Sequence, residues 1–122
     1  MTSRISPSSP RATISRAGDV IHASLSDNPD ARGIYHLSSG ALPVVEAIRA
    51  LGREGAVKLI THELTEDRRA LLGARAIDAI IDQNPEFEAR AAVETIARLF
   101  GRLDGAPKNT LIPVQIYMPE NA

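Results

Sequence analysis

The sequence predicts an α/β fold built on a parallel β-sheet. Three short apolar stretches alternate with stretches in which apolar residues recur at helical spacing. Three strand–helix units in succession imply right-handed crossovers, which bring the carboxyl ends of all three strands to one edge of the sheet. Aromatic residues make up only 3% of the 122 residues, so we expect a core of Ile, Leu, Val and Ala. This length suits a single domain with one small core.

The first ten residues differ in composition from the rest of the chain. Residues 1–10 are rich in Ser and Pro and show no periodicity, which is typical of a disordered segment. We assign residues 11–122 to the folded domain. Its first element is an amphipathic helix over residues 11–28, weakened by Gly18 and ended by Asn28 and Pro29. The apolar face of this helix consists of Ile14, Ala17, Ile21 and Leu25.

The three predicted strands cover residues 33–38, 56–62 and 77–82. The helix after the first strand has Ala41, Val44, Val45, Ile48 and Leu51 on one face. The helix after the second strand begins at Thr65, an N-cap residue, and ends at Gly73. The acids Glu66 and Asp67 lie in its first turn, where the helix dipole favours negative charge.

The third helix has the most regular pattern in the chain. Asn84 is a good N-cap residue and Pro85 suits the first helical position. The spacing predicts ion pairs of Glu86 with Arg90 and Glu94 with Arg98 on the exposed side. It also predicts a buried face, which consists of Ala89, Ala92, Val93, Ile96, Ala97 and Phe100. The last extended segment, residues 111–117, contains Pro113 and is therefore expected at a sheet edge or in a crossing strand.

Composition excludes several functional classes. The formal charge of −1, the pI near 6.3 and a lysine content of two argue against a nucleic-acid surface. The absence of cysteine excludes disulfides, a thiol nucleophile and a thiolate metal site. Residues 1–16 lack the apolar core of a signal peptide, and no stretch reaches the length needed to span a membrane. We therefore expect a soluble cytoplasmic protein without membrane contact.

Polar side chains collect where the three strands end. In an open α/β sheet this edge is where small polar ligands bind. Carboxylate and amide groups suit a neutral polyhydroxylated ligand such as a sugar, because they hydrogen-bond to several hydroxyls. The alternative is that Asn84 only caps a helix while Gln83 and Glu63 are solvated, since a fold alone does not establish a site. The candidate residues are Ser38, Ser39, His62, Glu63, Asp82, Gln83 and Asn84.

Catalytic and metal-binding functions have little support in these residues. His62, Glu63 and Asp82 are suitable groups for acid–base chemistry or a divalent metal, but their spacing matches no ligand motif. The turn Ser38-Ser39-Gly40 lacks the glycine pattern of a phosphate-binding loop. We expect no catalysis, no metal and no cofactor.

Four blocks of the sequence resemble a known family. They are Asp30 to Tyr35, Thr61 to Thr65, Ile77 to Pro85, and the tail from Ile112 to Asn121. These blocks are similar to the C-terminal part of the sugar-binding domain of lactose-repressor (LacI) family regulators, which periplasmic sugar-binding proteins share. The resemblance implies a partial C-terminal subdomain of a type I periplasmic-binding-protein-like fold, with three layers and helices on both faces of the sheet. It also implies that Gln83 binds ligand, that Glu63 stands where the family usually has Asp, and that Ser38 and Ser39 replace a polar or glycine-rich turn.

The resemblance implies a truncated effector-binding domain of a transcription regulator, which senses a sugar or sugar derivative without catalysis. The DNA-binding element of the family has no counterpart in these 122 residues. Two alternatives remain: the substrate-binding protein of a sugar ABC transporter, and an interaction domain that has lost ligand binding. The strand at residues 33–38 would form a bare, apolar sheet edge, so a homodimer is expected.

Overall fold

The computed structural model describes residues 10–37 and 40–122. The elements follow the order α1 (Pro10–Asp27), β1 (Gly33–His36), α2 (Ala41–Ala50), β2 (Lys58–His62), α3 (Glu66–Gly73), β3 (Ala79–Asp82), α4 (Pro85–Leu99) and β4 (Gln115–Tyr117). Apart from Pro10, which begins α1, the segment predicted to be disordered lies outside the described residues. The candidate site residues Ser38 and Ser39 also lie outside them.

The four strands form one sheet in the order β1-β2-β3-β4. The pairs β1–β2 and β2–β3 are parallel, whereas β4 runs antiparallel to β3 at the other edge. The α/β fold with a mainly parallel sheet and flanking helices is therefore confirmed. Every strand is shorter than predicted, because the apolar pattern reports burial and not strand pairing. Val57 and Ile77, for example, are buried just outside the paired strands.

The core lies on one face of the sheet. It is contributed by α1, α2, α3 and alternate residues of the strands, and its fully buried members include Val44, Leu59, Leu72, Ile77 and Ile80. On the paired strands Leu59 and Ile80 belong to this face, because side chains alternate between the two faces of a strand. The opposite face carries Tyr35, Ile60, Ile81 and Ile116, none of which joins the core cluster.

Helices α1 and α2 approach each other closely at Gly18. A Cβ atom added to Gly18 would lie 3.1 Å from the carbonyl oxygen of Pro43 and 3.2 Å from its Cβ. Glycine lowers the helix propensity of α1, as the sequence indicated, but it also lets the two backbones pack together. Two residues of the predicted apolar face of α1 are consistent with this packing, since Leu25 is buried and Ile21 is half-buried, whereas the side chain of Ile14 lies outside the described part of the chain.

Arg53 fixes the end of α1 to the loop after α2. Its Nη1 donates to the carbonyl oxygens of Leu25 at 2.8 Å and Asn28 at 3.3 Å. Its Nη2 donates to those of Pro29 at 3.1 Å and Ala31 at 2.6 Å. A guanidinium group therefore supplies donors to carbonyls at and beyond the last turn of α1, where the helix runs out of its own backbone donors.

Both predicted helix caps are confirmed. The Thr65 side chain accepts a hydrogen bond from the backbone N–H of Arg68 at the start of α3. The Asn84 side chain accepts one from the N–H of Phe87 at 3.4 Å, and Pro85 occupies the first turn of α4. In this part of the chain, the local sequence determines where each helix begins.

The predicted buried face of α4 is wrong. No residue of α4 is buried, and Val93, Ile96 and Phe100 are exposed by 66%, 54% and 77%. The described part of the chain places no core residue against this stripe. The ion pairs on the other side are confirmed, with distances of 4.0 Å for Arg90–Glu86 and 3.8 Å for Arg98–Glu94.

Within residues 10–37 and 40–122, no helix is both long enough and apolar enough to cross a bilayer.

Candidate functional site

A cleft opens at the carboxyl edge of the parallel strands. It has a volume of about 720 Å³ and lies between the start of α2 and helix α3. Its polar lining includes His62, Glu63, Asp67 and Arg68, and Leu42 contributes to its apolar lining. The edge that the sequence singled out therefore borders a space large enough for a small molecule.

His62 is held by an aromatic neighbour at the end of β2. The Tyr35 hydroxyl and the Nε2 atom of His62 form a hydrogen bond. The two rings are tilted by 59°, with centroids 5.1 Å apart. This contact fixes the orientation of the imidazole beside the cleft and occupies one of its two ring nitrogens.

Glu63 begins the turn that follows β2. Its φ angle of 66° lies in the left-handed region, which is unusual for a residue other than glycine. Its backbone N–H donates to the carbonyl oxygen of Ile81 at 2.9 Å, and its carbonyl accepts from Nη1 of Arg68 at 3.4 Å. The backbone of Glu63 is thus fixed from two sides, while its side chain remains exposed at the cleft.

Asp82 stabilises the same turn from the neighbouring strand. Its Oδ1 atom accepts a hydrogen bond from the backbone N–H of Leu64 at 3.2 Å. The carboxylate therefore satisfies a backbone donor in the turn that follows β2. This contact gives Asp82 a structural function, and its predicted contact with ligand stays a prediction.

Gln83 and Asn84 connect β3 to α4. Asn84 adopts a left-handed conformation with φ of 51° while it caps the helix. Asn tolerates this region better than most residues. Gln83 is exposed between the end of β3 and the first turn of α4. It lies at the predicted edge but does not line the 720 Å³ cleft.

The structure therefore brings two of the predicted site residues, His62 and Glu63, to one cleft. Asp82 and Gln83 lie at the end of the adjacent strand, and Asp82 is linked to the turn after Glu63. Sequence reasoning missed Tyr35, which orients His62, and Arg68, which is only 7% exposed beside the cleft. The sequence gives no signal that separates Arg68 from the other arginines.

The donor and acceptor set at this edge suits hydrogen bonding. Arg68 and His62 carry donors, and Glu63 and Asp67 offer carboxylate acceptors. Within residues 10–37 and 40–122, His, Asp and Glu form no cluster of three or more that could hold a metal ion.

Comparison with known proteins identifies the domain type. A family model described as a periplasmic binding protein domain matches residues 5–104. No curated protein sequence matches the chain. Among solved structures, GanP, a glucose-galactose binding protein from Geobacillus stearothermophilus, is similar with a TM-score of 0.77 and 19% identity over 88% of this chain and 39% of that protein.

Two further structures have the same relation to this chain. One is an ABC transporter periplasmic solute binding protein from Actinobacillus succinogenes 130z with bound D-allose, with a TM-score of 0.74, 18% identity and coverage of 88% of this chain and 38% of that one. The other is a carbohydrate transporter solute binding protein from Agrobacterium radiobacter in complex with D-arabinose, with a TM-score of 0.72, 19% identity and coverage of 88% and 37%.

The chain thus spans about two-fifths of the length of these proteins. At such low identity the structures establish the fold. The family model goes further because it matches most of the sequence, from residue 5 to residue 104. The chain belongs to the family of periplasmic binding protein domains.

Proposed function

We propose that this chain forms one lobe of a binding protein that holds a sugar or sugar derivative non-covalently and catalyses no reaction. The observation that carries the proposal is that neighbouring residues at the sheet edge have different roles. Asp82 and Asn84 fix the backbone, whereas the neighbouring Glu63 and Gln83 extend exposed side chains from that fixed backbone. Hydrogen-bonding groups on a rigid support favour recognition of a polar ligand.

The cleft chemistry supports the same class of ligand. Its lining combines hydrogen-bonding groups of both kinds with apolar groups such as Leu42. Sugars present hydroxyls on their edges and C–H groups on their faces, so a mixed lining suits them. We propose that Glu63 and His62 contact the ligand from the cleft and that Gln83 contacts it from the adjacent part of the sheet edge, with Asp82, Ser38 and Ser39 as further candidates from the sequence.

A transport-associated binding protein is the form of this function that we favour. The similar structures include a glucose-galactose binding protein and two transporter solute binding proteins, one with D-allose and one with D-arabinose. These names describe those proteins, and they support transport more than regulation. The LacI-type regulator remains the second candidate because of the four sequence blocks, and the predicted cytoplasmic location depends on it.

Ligand binding can be tested by NMR on the isotopically labelled chain. Titration with D-glucose, D-galactose, D-allose and D-arabinose up to about 10 mM would detect even the weak affinity expected of a single lobe. We expect at least one sugar to shift the side-chain amide signals of Gln83 and the backbone signals of Glu63. A Gln83→Ala variant should weaken binding, whereas Glu88→Ala, an exposed change on α4, should not.

A chain that responds to none of these sugars would support the third alternative, an interaction domain without ligand. Sequencing the coding DNA that flanks the chain separates the other two. An export signal would favour transport, and an in-frame helix-turn-helix would favour the regulator.

A further inference from the structure

Tyr35 and His62 lie side by side on one face of the sheet. Tyr35 of β1 pairs with Ile60 of β2, and His62 follows Ile60 by two residues, so its side chain belongs to the same face. Diagonal neighbours of this kind are within reach of aromatic side chains. The rings are in tilted contact, and the Tyr35 hydroxyl forms a hydrogen bond with Nε2 of His62. The strand register therefore supplies a partner for one of the two ring nitrogens.

The other ring nitrogen of His62, Nδ1, has no hydrogen-bond partner within residues 10–37 and 40–122. His62 is half-buried and lines the cleft of about 720 Å³ together with Glu63 and Asp67. A neutral imidazole has one N–H donor and one acceptor nitrogen, and the partner of one nitrogen decides which of the two carries the proton. The contact with Tyr35 therefore decides whether Nδ1 donates or accepts at the cleft.

The chemistry of the two groups gives this hydrogen bond its direction. A phenol is a better donor than an aliphatic alcohol and a poorer acceptor, because an oxygen lone pair is delocalised into the ring. The unprotonated nitrogen of a neutral imidazole is the stronger acceptor of the pair. The Tyr35 hydroxyl thus donates to Nε2 of His62, and the single imidazole proton lies on Nδ1.

We propose that Tyr35 is a positioning residue of the sugar site, which holds neutral His62 in the Nδ1–H form so that Nδ1 donates to an oxygen atom of the sugar. The inference rests on the proposed function. Tyr35 does not line the cleft itself, so it acts through His62. The carboxylates of Glu63 and Asp67 accept hydrogen bonds, and a sugar hydroxyl that donates to one of them keeps lone pairs that accept from Nδ1.

The first test determines the tautomer of His62 by long-range 1H–15N correlation NMR without any sugar, at about pH 8.5, where histidine side chains are ordinarily uncharged. The chain has three histidines, and the signal lost in His62→Gln identifies His62. We expect the proton on Nδ1 in the wild-type chain. In Tyr35→Phe it should move mostly to Nε2, the form that a neutral histidine without a partner prefers.

Tyr117→Phe is the matched control for this measurement. It removes the other tyrosine hydroxyl of the chain, which donates to Oε1 of Gln115 at 2.6 Å on β4. The control should leave the proton on Nδ1 of His62. Tyr35→Phe keeps the aromatic ring, and Tyr35 is 53% exposed, so the variant retains the fold. A proton on Nε2 in the wild-type chain, or the same tautomer in wild type and Tyr35→Phe, overturns the proposal.

The second test measures affinity by NMR titration with D-glucose, D-galactose, D-allose and D-arabinose. For a sugar that binds the wild-type chain, Tyr35→Phe should raise Kd by about two- to tenfold, the contribution of one neutral hydrogen bond. Tyr117→Phe should leave Kd unchanged. An unchanged Kd in Tyr35→Phe overturns the positioning role. If none of the four sugars binds, the proposed function fails together with the sugar contact, whereas a sugar-binding chain with the proton on Nε2 of His62 overturns this inference alone.

Amide replacements of His62 separate donation by Nδ1 from packing of the ring. The amide nitrogen of asparagine is bonded to Cγ, as Nδ1 is, whereas that of glutamine lies near the position of Nε2. His62→Asn should therefore retain more affinity than His62→Gln. Adding Tyr35→Phe to His62→Asn should cost no further affinity, because Tyr35 acts only through the imidazole. Tighter binding by His62→Gln than by His62→Asn, or a full additional loss in the double variant, contradicts the proposal.

Discussion

Helices α2 and α4 have similar sequence patterns and opposite environments. Each follows a parallel strand and each carries an apolar stripe, yet α2 buries five residues and α4 buries none. Helix α2 packs against α1 and contributes to the core, whereas the stripe of α4 has no partner in the described chain. The comparison shows that amphipathic spacing identifies the face that favours burial, but not whether the chain supplies a partner for it.

The largest expected difference between the two regions comes from truncating one isoleucine in each. Ile80 is fully buried, so Ile80→Ala should lower the free energy of unfolding by about 2–5 kcal/mol through lost burial and a cavity. Ile96→Ala should change the stability of the monomer by less than about 0.5 kcal/mol. Chemical denaturation of both variants at several protein concentrations provides the measurement.

Concentration dependence sharpens this comparison. If the homodimer expected from the sequence forms through α4, the effect of Ile96→Ala should grow with protein concentration, while that of Ile80→Ala should not. Equal, concentration-independent losses for the two variants would show that α4 packs within its own chain, contrary to its exposure in the structure.

A second prediction concerns Arg53 on the well-packed side. Because its guanidinium donates to four carbonyl oxygens, Arg53→Ala should cost about 1.5–3 kcal/mol of stability. Arg53→Lys keeps the charge but not the planar set of donors, so it should recover less than half of the loss. Thermal unfolding of the three proteins checks this, and full recovery by lysine would mean that charge near the end of α1 is the main contribution.

The sequence predicted those features of the fold that depend on residues close together along the chain, and missed those that depend on distant residues. The caps at Thr65 and Asn84 were predictable because each involves a backbone N–H three residues away. The contacts of Arg53 were not, because its partners lie 22–28 residues earlier and arginine is usually an exposed residue. The exposure of α4 was also unpredictable, since the pattern of a helix does not contain its tertiary partner.

The candidate site shows the same limit. Parallel strands predicted that the residues after β2 and β3 would meet at one edge, and the hydrogen bond between Asp82 and Leu64 confirms their proximity. The division of functions between them depends on the left-handed backbone of Glu63, and a glutamate gives no signal for that conformation. The contact of Tyr35 with His62 depends on the register of β1 and β2, which only the structure reveals.

The third prediction compares two glycines in helices. Gly18→Ala gains helix propensity but places a Cβ 3.1 Å from a backbone oxygen of Pro43, so we expect a net loss of about 1 kcal/mol. Gly73→Ala at the end of α3 meets no atom within 4 Å and should stabilise the chain by up to about 1 kcal/mol. Opposite signs in denaturant titrations support close packing of α1 on α2. Stabilisation by both changes would show that α1 can move away from α2.

The smallest expected effect is at the junction of β3 and α4. Gln83 is exposed, so Gln83→Ala should change the free energy of unfolding by less than about 0.5 kcal/mol. The adjacent change Asn84→Ala should cost about 0.5–2 kcal/mol, because it removes the cap on Phe87 and places alanine in a left-handed conformation. Asn84→Gly restores the backbone freedom and should recover part of that loss. Urea denaturation of the three variants tests whether Asn84 has a structural role that Gln83 lacks. A loss for Gln83→Ala as large as that for Asn84→Ala would instead make Gln83 part of the structural framework of α4.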